Sequence, residues 1–362
     1  MKILYVTTIS NTVNAFLMSH IRMLIDEGNR VDVAFKIEQE IKKEIYNMGC
    51  KIYNIDFNRN PLKKENYKAY KKLKELITKE KYDIVHCHTP VASLCTRLAC
   101  RKIKNARVFY TAHGFHFYKG APLKNWLLYY PIEKWLSKYT DTIITINEED
   151  YERAKTFYAK KVRYIPGVGL DLEKFKIEVN KKEKRKEIGI QENDFLISSV
   201  GELNKNKNHE IVVRAIKKLN NLNIKYIICG VGPLKGYLQD LIKKLGLENQ
   251  VQLLGYRKDI VELNKVSDLF VFPSKREGLP VSVMEAMASG LPVIASNIRG
   301  NRDLIDDGGG YLFESNNEKE LISCLNKIIG NKEKSQKLCK YNQKKIKKFE
   351  KDNILIKLRN NY

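Results

Sequence analysis

Strand-like and helix-like segments alternate along this chain in two separate runs, and that alternation constrains the fold more than any other feature. In the first half, apolar segments at 2–7, 30–35, 51–55, 84–88, 108–111, 142–145 and 162–165 read as strands. Segments at 16–27, 38–48, 66–79, 91–103 and 148–158 read as helices between them, and Gly28 stops the first. Such alternation predicts an α/β fold with a parallel, doubly wound sheet, because each crossover returns its helix to a face of the sheet. Ligands of these sheets gather at the carboxyl ends of the strands. Three stretches fall there: 8–14 with Asn14, His88-Thr89-Pro90, and 112–117 with His113.

The pattern then restarts. Strands are expected at 195–200, 226–229, 251–254 and 269–271, with helices at 210–219, 234–245 and 260–266. A charged linker at 174–185 precedes them. At 362 residues the chain exceeds one ordinary core, so two domains are expected. The boundaries read as 1–168 for the first Rossmann-like domain and 169–345 for the second. Residues 346–362 read as a C-terminal helix that returns to the first domain. Gly230-Val231-Gly232 lacks the third glycine of a dinucleotide fingerprint, so no nicotinamide cofactor is expected.

Composition narrows the partners. No run of about 18 apolar residues occurs, so no membrane-spanning helix is expected, and the first residues read as a strand rather than a signal peptide. Seven scattered cysteines read as reduced thiols in a cytoplasmic protein. A net charge of +24 calls for an anionic partner. The excess is spread over both halves without a nucleic-acid motif, so nucleic acid is not expected. His86 and His88 share one strand face, Cys87 points away, and no further ligand pair follows at zinc spacing, so no metal site is expected.

The most specific stretch is 274–295, SKREGLPVSVMEAMASGLPVIA. Gly278 and Pro280 keep Glu277 in a loop, and a helix runs from Val281 to Ser289 until Gly290 stops it. A helix start after a loop presents free N–H groups and the positive dipole end, which suits a diphosphate. Glu277 and Glu285 flank it. Two acceptor carboxylates on either side of a phosphate-binding helix start match the sugar and ribose ends of a nucleotide-sugar.

This stretch resembles the E-x7-E signature of the GT-B retaining glycosyltransferases of family 4. The resemblance extends over nearly the whole chain, with 166–171 similar to the family's interdomain turn and 297–303 similar to its capsular and exopolysaccharide branch. It implies two Rossmann-like domains with an interdomain cleft. It also implies that Glu277, His113 and Lys207 act in catalysis. Glu285, Gly278, Leu279, Pro280, Val281, Gly201, Glu202, Gly232, Tyr256 and Arg257 would bind the donor. The chain departs from the family at Glu202, where an arginine is usual, and at 10–14, where many relatives carry a glycine pair.

The resemblance implies transfer, with retention, from a nucleotide-sugar, UDP-linked, to a saccharide on a polyprenyl diphosphate. No D-x-D triad occurs, so no metal is required by the sequence. Trp126, Tyr129, Tyr130 and Trp135 lie in an aromatic, basic stretch at 126–139 that, together with Asn14, reads as a contact with the acceptor and an anionic membrane surface. The expected location is the cytoplasm, peripheral to the inner face of the cell membrane. Two other readings fit parts of the pattern: a GT-B-like nucleotide-sugar epimerase, and a non-enzymatic basic protein binding polyanions or membranes.

Overall fold

The computed structural model describes residues 1–362. They divide into two compact units, one formed by Met1–Gly169 with Asp352–Tyr362 and the other by Leu170–Lys351.

The first unit is built on strands β1 (Lys2–Ile9), β2 (Arg30–Lys36), β3 (Ile52–Asn54), β4 (Ile84–His88), β5 (Arg107–Ala112), β6 (Thr142–Thr145) and β7 (Lys161–Tyr164). The second uses β8 (Phe195–Val200), β9 (Ile224–Cys229), β10 (Val251–Gly255), β11 (Leu269–Phe272), β12 (Val293–Ser296) and β13 (Gly310–Phe313). The strand orders are β3-β2-β1-β4-β5-β6-β7 and β10-β9-β8-β11-β12-β13. Neighbours pair in parallel throughout. Each order reverses direction next to its first strand, at β1/β4 and at β8/β11, and that is where a doubly wound sheet opens for a ligand.

The central strands are apolar on both faces because helices cover both sides. Val6, Val85 and Tyr110 enter one core of the first unit, while Ile3, Tyr5 and Phe109 enter the other. In the second unit Ile197, Ile228 and Val271 face one core, and Leu196 and Ile227 the other.

Two local expectations fail, each for a tertiary reason, and two further elements complete the picture. The helix expected at 38–48 shrinks to Lys43–Asn47. Ser10 Oγ takes the N–H groups of Glu38 and Gln39 at 3.2 Å, and the Asn14 amide bonds the Glu40 carbonyl at 2.9 Å, which holds 38–42 as a loop. The charged linker contains a helix, Lys181–Glu187, capped by Asn180. Its Arg185 is buried against Asp268 Oδ2 at 2.6 Å and the carbonyls of Asp194 and Val266. The aromatic helix is Leu123–Leu136 and runs through Pro131. Finally, β13 emerges from a run of glycines. A Cβ at Gly310 would lie 1.8 Å from the Val293 carbonyl oxygen, so only glycine brings β13 against β12.

Candidate functional site

In the second unit the loops after β8, β9 and β11 converge. Gly230 and Gly232 let the β8 and β9 loops lie edge to edge. A Cβ at Gly230 would meet the Gly201 oxygen at 1.9 Å, and one at Gly232 the Leu203 oxygen at 2.6 Å. Leu203 N–H donates to Val231 at 3.0 Å, and Leu234 N–H returns to Leu203 at 2.9 Å. The stem of Lys207 lies over Gly201, where a Cβ would come within 3.1 Å of Lys207 Cδ. The β8 and β11 loops are also joined, by Lys275 N–H to the Asn206 oxygen at 2.8 Å and by the Asn206 amide to the Arg276 oxygen at 3.0 Å.

This zipper brings together two residues that stand 70 positions apart in sequence: Lys207 Nζ lies 2.7 Å from Glu277 Oε1. The ammonium also sits over the Phe272 ring, 4.7 Å from its centroid. Arg299, buried, donates Nε–H to the Glu277 carbonyl oxygen at 3.1 Å and fixes the loop from below its main chain. Gly300 has φ +76 and would strike the Gly278 oxygen at 2.2 Å if it carried a Cβ. Sequence reasoning placed neither residue in the site. The Arg-Gly pair three residues after a strand end was the available signal.

The helix Val281–Ala288 begins right after Pro280, which has extended backbone and no side-chain cap. Its first N–H groups have no intrahelical acceptor and no acidic side chain in the first turn to take them. Gly278, Leu279, Pro280 and Val281 therefore line a positive, unneutralised helix start next to the Lys207–Glu277 pair. Glu285 lies on the second turn of this helix, half-buried. Burial pushes its carboxyl above the usual range, against the pull of Lys174.

Three donor assignments fare differently. Glu202 is exposed beside Gly201. Tyr256 is 73% exposed after β10. Arg257 is already occupied: its guanidinium bonds Asp259 at 2.5 Å and Glu187 at 3.0 Å, in a network that includes Lys184. A guanidinium held by two carboxylates is not the free donor-binding group that the resemblance implies.

In the first unit the polar end of the sheet is histidine-lined. His86 and His88 stack on β4 with ring centroids 4.3 Å apart. His88 Nδ1 lies 3.0 Å from His113 Nε2. His86 Nε2 bonds Thr111 Oγ1 at 2.7 Å, and its Nδ1 bonds the Tyr362 hydroxyl. Burial lowers His20 and His113 to about 4, and holds His86 and His88 well below the usual histidine value. All four rings are neutral at neutral pH. Cys87 turns away and donates its thiol to the Phe109 oxygen at 3.2 Å. No group of His, Cys, Asp and Glu side chains converges to hold a metal ion.

Two assignments in this unit need correction. Asn14 spends both ends of its amide on the main chain of Glu40 and Lys42, so it shapes a loop rather than offering itself to an acceptor. Trp126, Tyr129 and Tyr130 turn inward. Trp126 and Tyr130 pack on Phe117, and Tyr129 packs on His116 at 4.7 Å. Arg153 covers the Trp126 ring at 4.8 Å. The outward face of helix Leu123–Leu136 is instead aliphatic: Leu123 and Leu127 are 73% and 71% exposed, with Leu128, Ile132 and Trp135 beside them. Its only acid, Glu133, is gripped by Arg97 at 2.8 and 3.1 Å, and Arg97 is fully buried. The exposed charges of this helix are cationic, Lys124 with Lys138 just beyond its end. No helix of the structure is long and apolar enough to cross a membrane.

Two parallel Rossmann-like units, one ending in a glycine-lined lysine–glutamate pair beside a bare helix start, define a GT-B nucleotide-sugar enzyme. Known proteins agree. Residues 180–345 match the family described as glycosyl transferases group 1, and residues 2–147 match glycosyl transferase 4-like. EpsD of Bacillus subtilis (strain 168), named as a glycosyltransferase, is 36% identical over 357 residues, covering 96% of this chain and 92% of EpsD. The UDP-Gal:alpha-D-GlcNAc-diphosphoundecaprenol alpha-1,3-galactosyltransferase of Escherichia coli is 36% identical over 278 residues, covering 74% of this chain and 72% of that protein. Among solved structures, HepE of Anabaena in complex with UDP superposes with a TM-score of 0.82 at 21% identity, covering 100% of this chain and 99% of HepE. The chain belongs to the group 1 glycosyltransferases, which sets aside the epimerase and the non-enzymatic readings.

Proposed function

We propose that this glycosyltransferase moves a hexosyl or N-acetylhexosaminyl unit, with retention, from a UDP-sugar to a saccharide carried on a polyprenyl diphosphate. The product belongs to a cell-surface polysaccharide, a capsule or exopolysaccharide. The observation that carries this reading is the Lys207–Glu277 pair beside the helix start at Val281. Lys207 and the first N–H groups of that helix meet the diphosphate, where negative charge grows as the C1–O bond breaks. Glu277 holds the sugar hydroxyls and Glu285 the ribose. His113, neutral, serves the reacting sugar as a hydrogen-bonding group. The acceptor oxygen attacks C1 on the face the leaving group vacates, its proton passes to a diphosphate oxygen, and UDP departs. The lipid-linked acceptor and the UDP donor are supported by the activity for which the Escherichia coli relative is named. UDP is supported also by HepE, crystallised with UDP-glucose.

The reading is tested first by thermal stabilisation against a panel of UDP-sugars, since a ligand at 100 times its Kd adds ~2.7 kcal/mol. The decisive test is a pair of variants. Glu277→Gln lowers kcat roughly a hundredfold, on the order of 2.7 kcal/mol in the transition state, while calorimetric affinity for UDP stays intact or tightens as Lys207 is freed. Glu285→Gln weakens UDP itself. Wild-type transfer by both folded variants would remove the donor site from 274–295.

No metal takes part in this scheme, because a lysine and a helix start neutralise the diphosphate. Transfer therefore persists in EDTA. Activity lost in EDTA and restored by Mg²⁺ or Mn²⁺ would overturn the donor site as drawn. The acceptor's lipid places the reaction at an anionic membrane surface, on the cytoplasmic side, with the aliphatic face of Leu123–Leu136 against the headgroups and its lysines at the phosphates.

A further inference from the structure

His88 takes no part in the scheme above, yet it touches the one histidine that does. His88 Nδ1 and His113 Nε2 are 3.0 Å apart. Both rings are neutral, so each carries a single ring proton, and one of the two must donate across this contact. The surroundings decide which. His88 Nε2 is buried and has no partner. A proton there would be a buried N–H without an acceptor, the rarer and costlier defect. A bare lone pair is the milder one. The proton of His88 therefore sits on Nδ1 and is donated to His113 Nε2, which leaves the proton of His113 on Nδ1.

The rest of the cluster holds His88 in place for this. His86, stacked on it, has both nitrogens engaged, by Thr111 and by Tyr362. The residue after His88 is Thr89, with φ +66 and ψ 147, a conformation that a β-branched residue rarely adopts. It is tied down by Thr8, whose N–H and hydroxyl reach Thr89 Oγ1 at 3.1 and 2.7 Å. Strain of this sort costs roughly 1–3 kcal/mol and persists where the surroundings over-determine the backbone. Of the four clustered histidines, His113 alone is not fully buried.

We propose that His88 is a positioning residue for sugar transfer: its Nδ1–H locks His113 in the Nδ1–H tautomer, so that His113 offers a donor, not an acceptor, to a sugar hydroxyl. This rests on the proposed role of His113 as a hydrogen-bonding group for the reacting sugar.

The test separates the two. Nitrogen-15 NMR of the histidine rings in the full-length protein, with His113 assigned by the signals lost in His113→Gln, is expected to show the Nδ1–H form at His113. His88→Leu is expected to release it to a mixture of tautomers and to lower kcat for UDP release from UDP-galactose ten- to a hundredfold, with KM for that donor unchanged. His88→Asn keeps an N–H donor near the Nδ1 position and is expected to restore both the tautomer and most of kcat. A wild-type His113 in the Nε2–H form overturns the proposal, as does an unaltered His113 tautomer in His88→Leu. If His88→Leu fails to fold, the wild-type and His88→Asn spectra still decide. Wild-type kcat in folded His113→Gln would strike the underlying reading instead, while the tautomer assignment stood.

Discussion

The two units share one architecture and differ in what they place at the open end of the sheet. The second unit presents charge: the Lys207 ammonium, the Glu277 carboxylate and an uncapped helix start, set among glycines that bring main chain close. The first presents neutral rings, four histidines that burial keeps unprotonated, backed by two tyrosine hydroxyls bonded at 2.6 Å. A diphosphate needs cations and N–H groups, and sugar hydroxyls need neutral donors and acceptors. On the proposed reading, the same fold is specialised twice, once for each end of a transfer reaction.

The comparison breaks most easily at Lys207. Lys207→Ala removes the cation that meets the leaving group and strands Glu277, so kcat/KM is expected to fall roughly a thousandfold, as for loss of an oxyanion-hole donor. Steady-state UDP release measures it. A loss below tenfold would mean that the helix start alone carries the phosphate charge.

Acid should separate the units next. A histidine whose folded pKa is depressed contributes stability above its unfolded value of about 6.5, and that stability is lost as pH falls toward the folded value. His20 and His113, both near 4, each forfeit roughly 2 kcal/mol by pH 5, and His86 and His88 add to this. In the second unit only His209 behaves so. Its other shifted acids, such as Asp259 and Asp306, are held low by basic partners and lose their contribution only in the carboxylate range. Hydrogen exchange on the whole protein, corrected for intrinsic rates, should show β4 and β5 losing protection between pH 6.5 and 5 while β8 and β11 keep theirs. Simultaneous loss would refute the contrast.

The smallest effect concerns the surface. Leu127→Gln with Leu128→Gln should weaken binding to anionic vesicles about tenfold and leave UDP affinity unchanged, whereas Trp126→Leu should perturb folding of the first unit. Equal vesicle binding by the double variant and the wild type would move the membrane contact elsewhere.

Much of this was legible in the chain. The strand–helix alternation gave both parallel sheets, because continuous apolar runs have few other places to go. Glu277 was singled out from its loop and Lys207 only through the family resemblance, and neither route showed their pairing, which depends on the Asn206 zipper between loops 70 residues apart. On the aromatic helix Trp126, Tyr129 and Tyr130 were read as outward although they turn inward, while Trp135 is exposed as read. Trp and Tyr look interfacial in a sequence, and only the positions of Phe117 and His116 show that these three pack inward. β13 was hidden because its glycine is there for closeness to Val293, which has no one-dimensional signature. The helix Glu318–Ile328 was missed although Asn317 caps it and Leu321, Cys324, Leu325 and Ile328 mark its buried stripe.

The first unit is discontinuous in sequence, and that has a consequence for how the protein is made. Leu170–Lys351 is an unbroken stretch that emerges complete from a ribosome. The first unit cannot close until 352–362 arrive to bury Ile354 and Leu358 and to bring the Tyr362 hydroxyl to Tyr5 and His86. The half synthesised first is therefore finished last. Its histidine end stays open throughout synthesis of the charged half, a long-range closure of the kind that slows folding. A nascent chain stalled before 352 would carry a formed donor half and an unfinished partner, and it would be a natural client for chaperones.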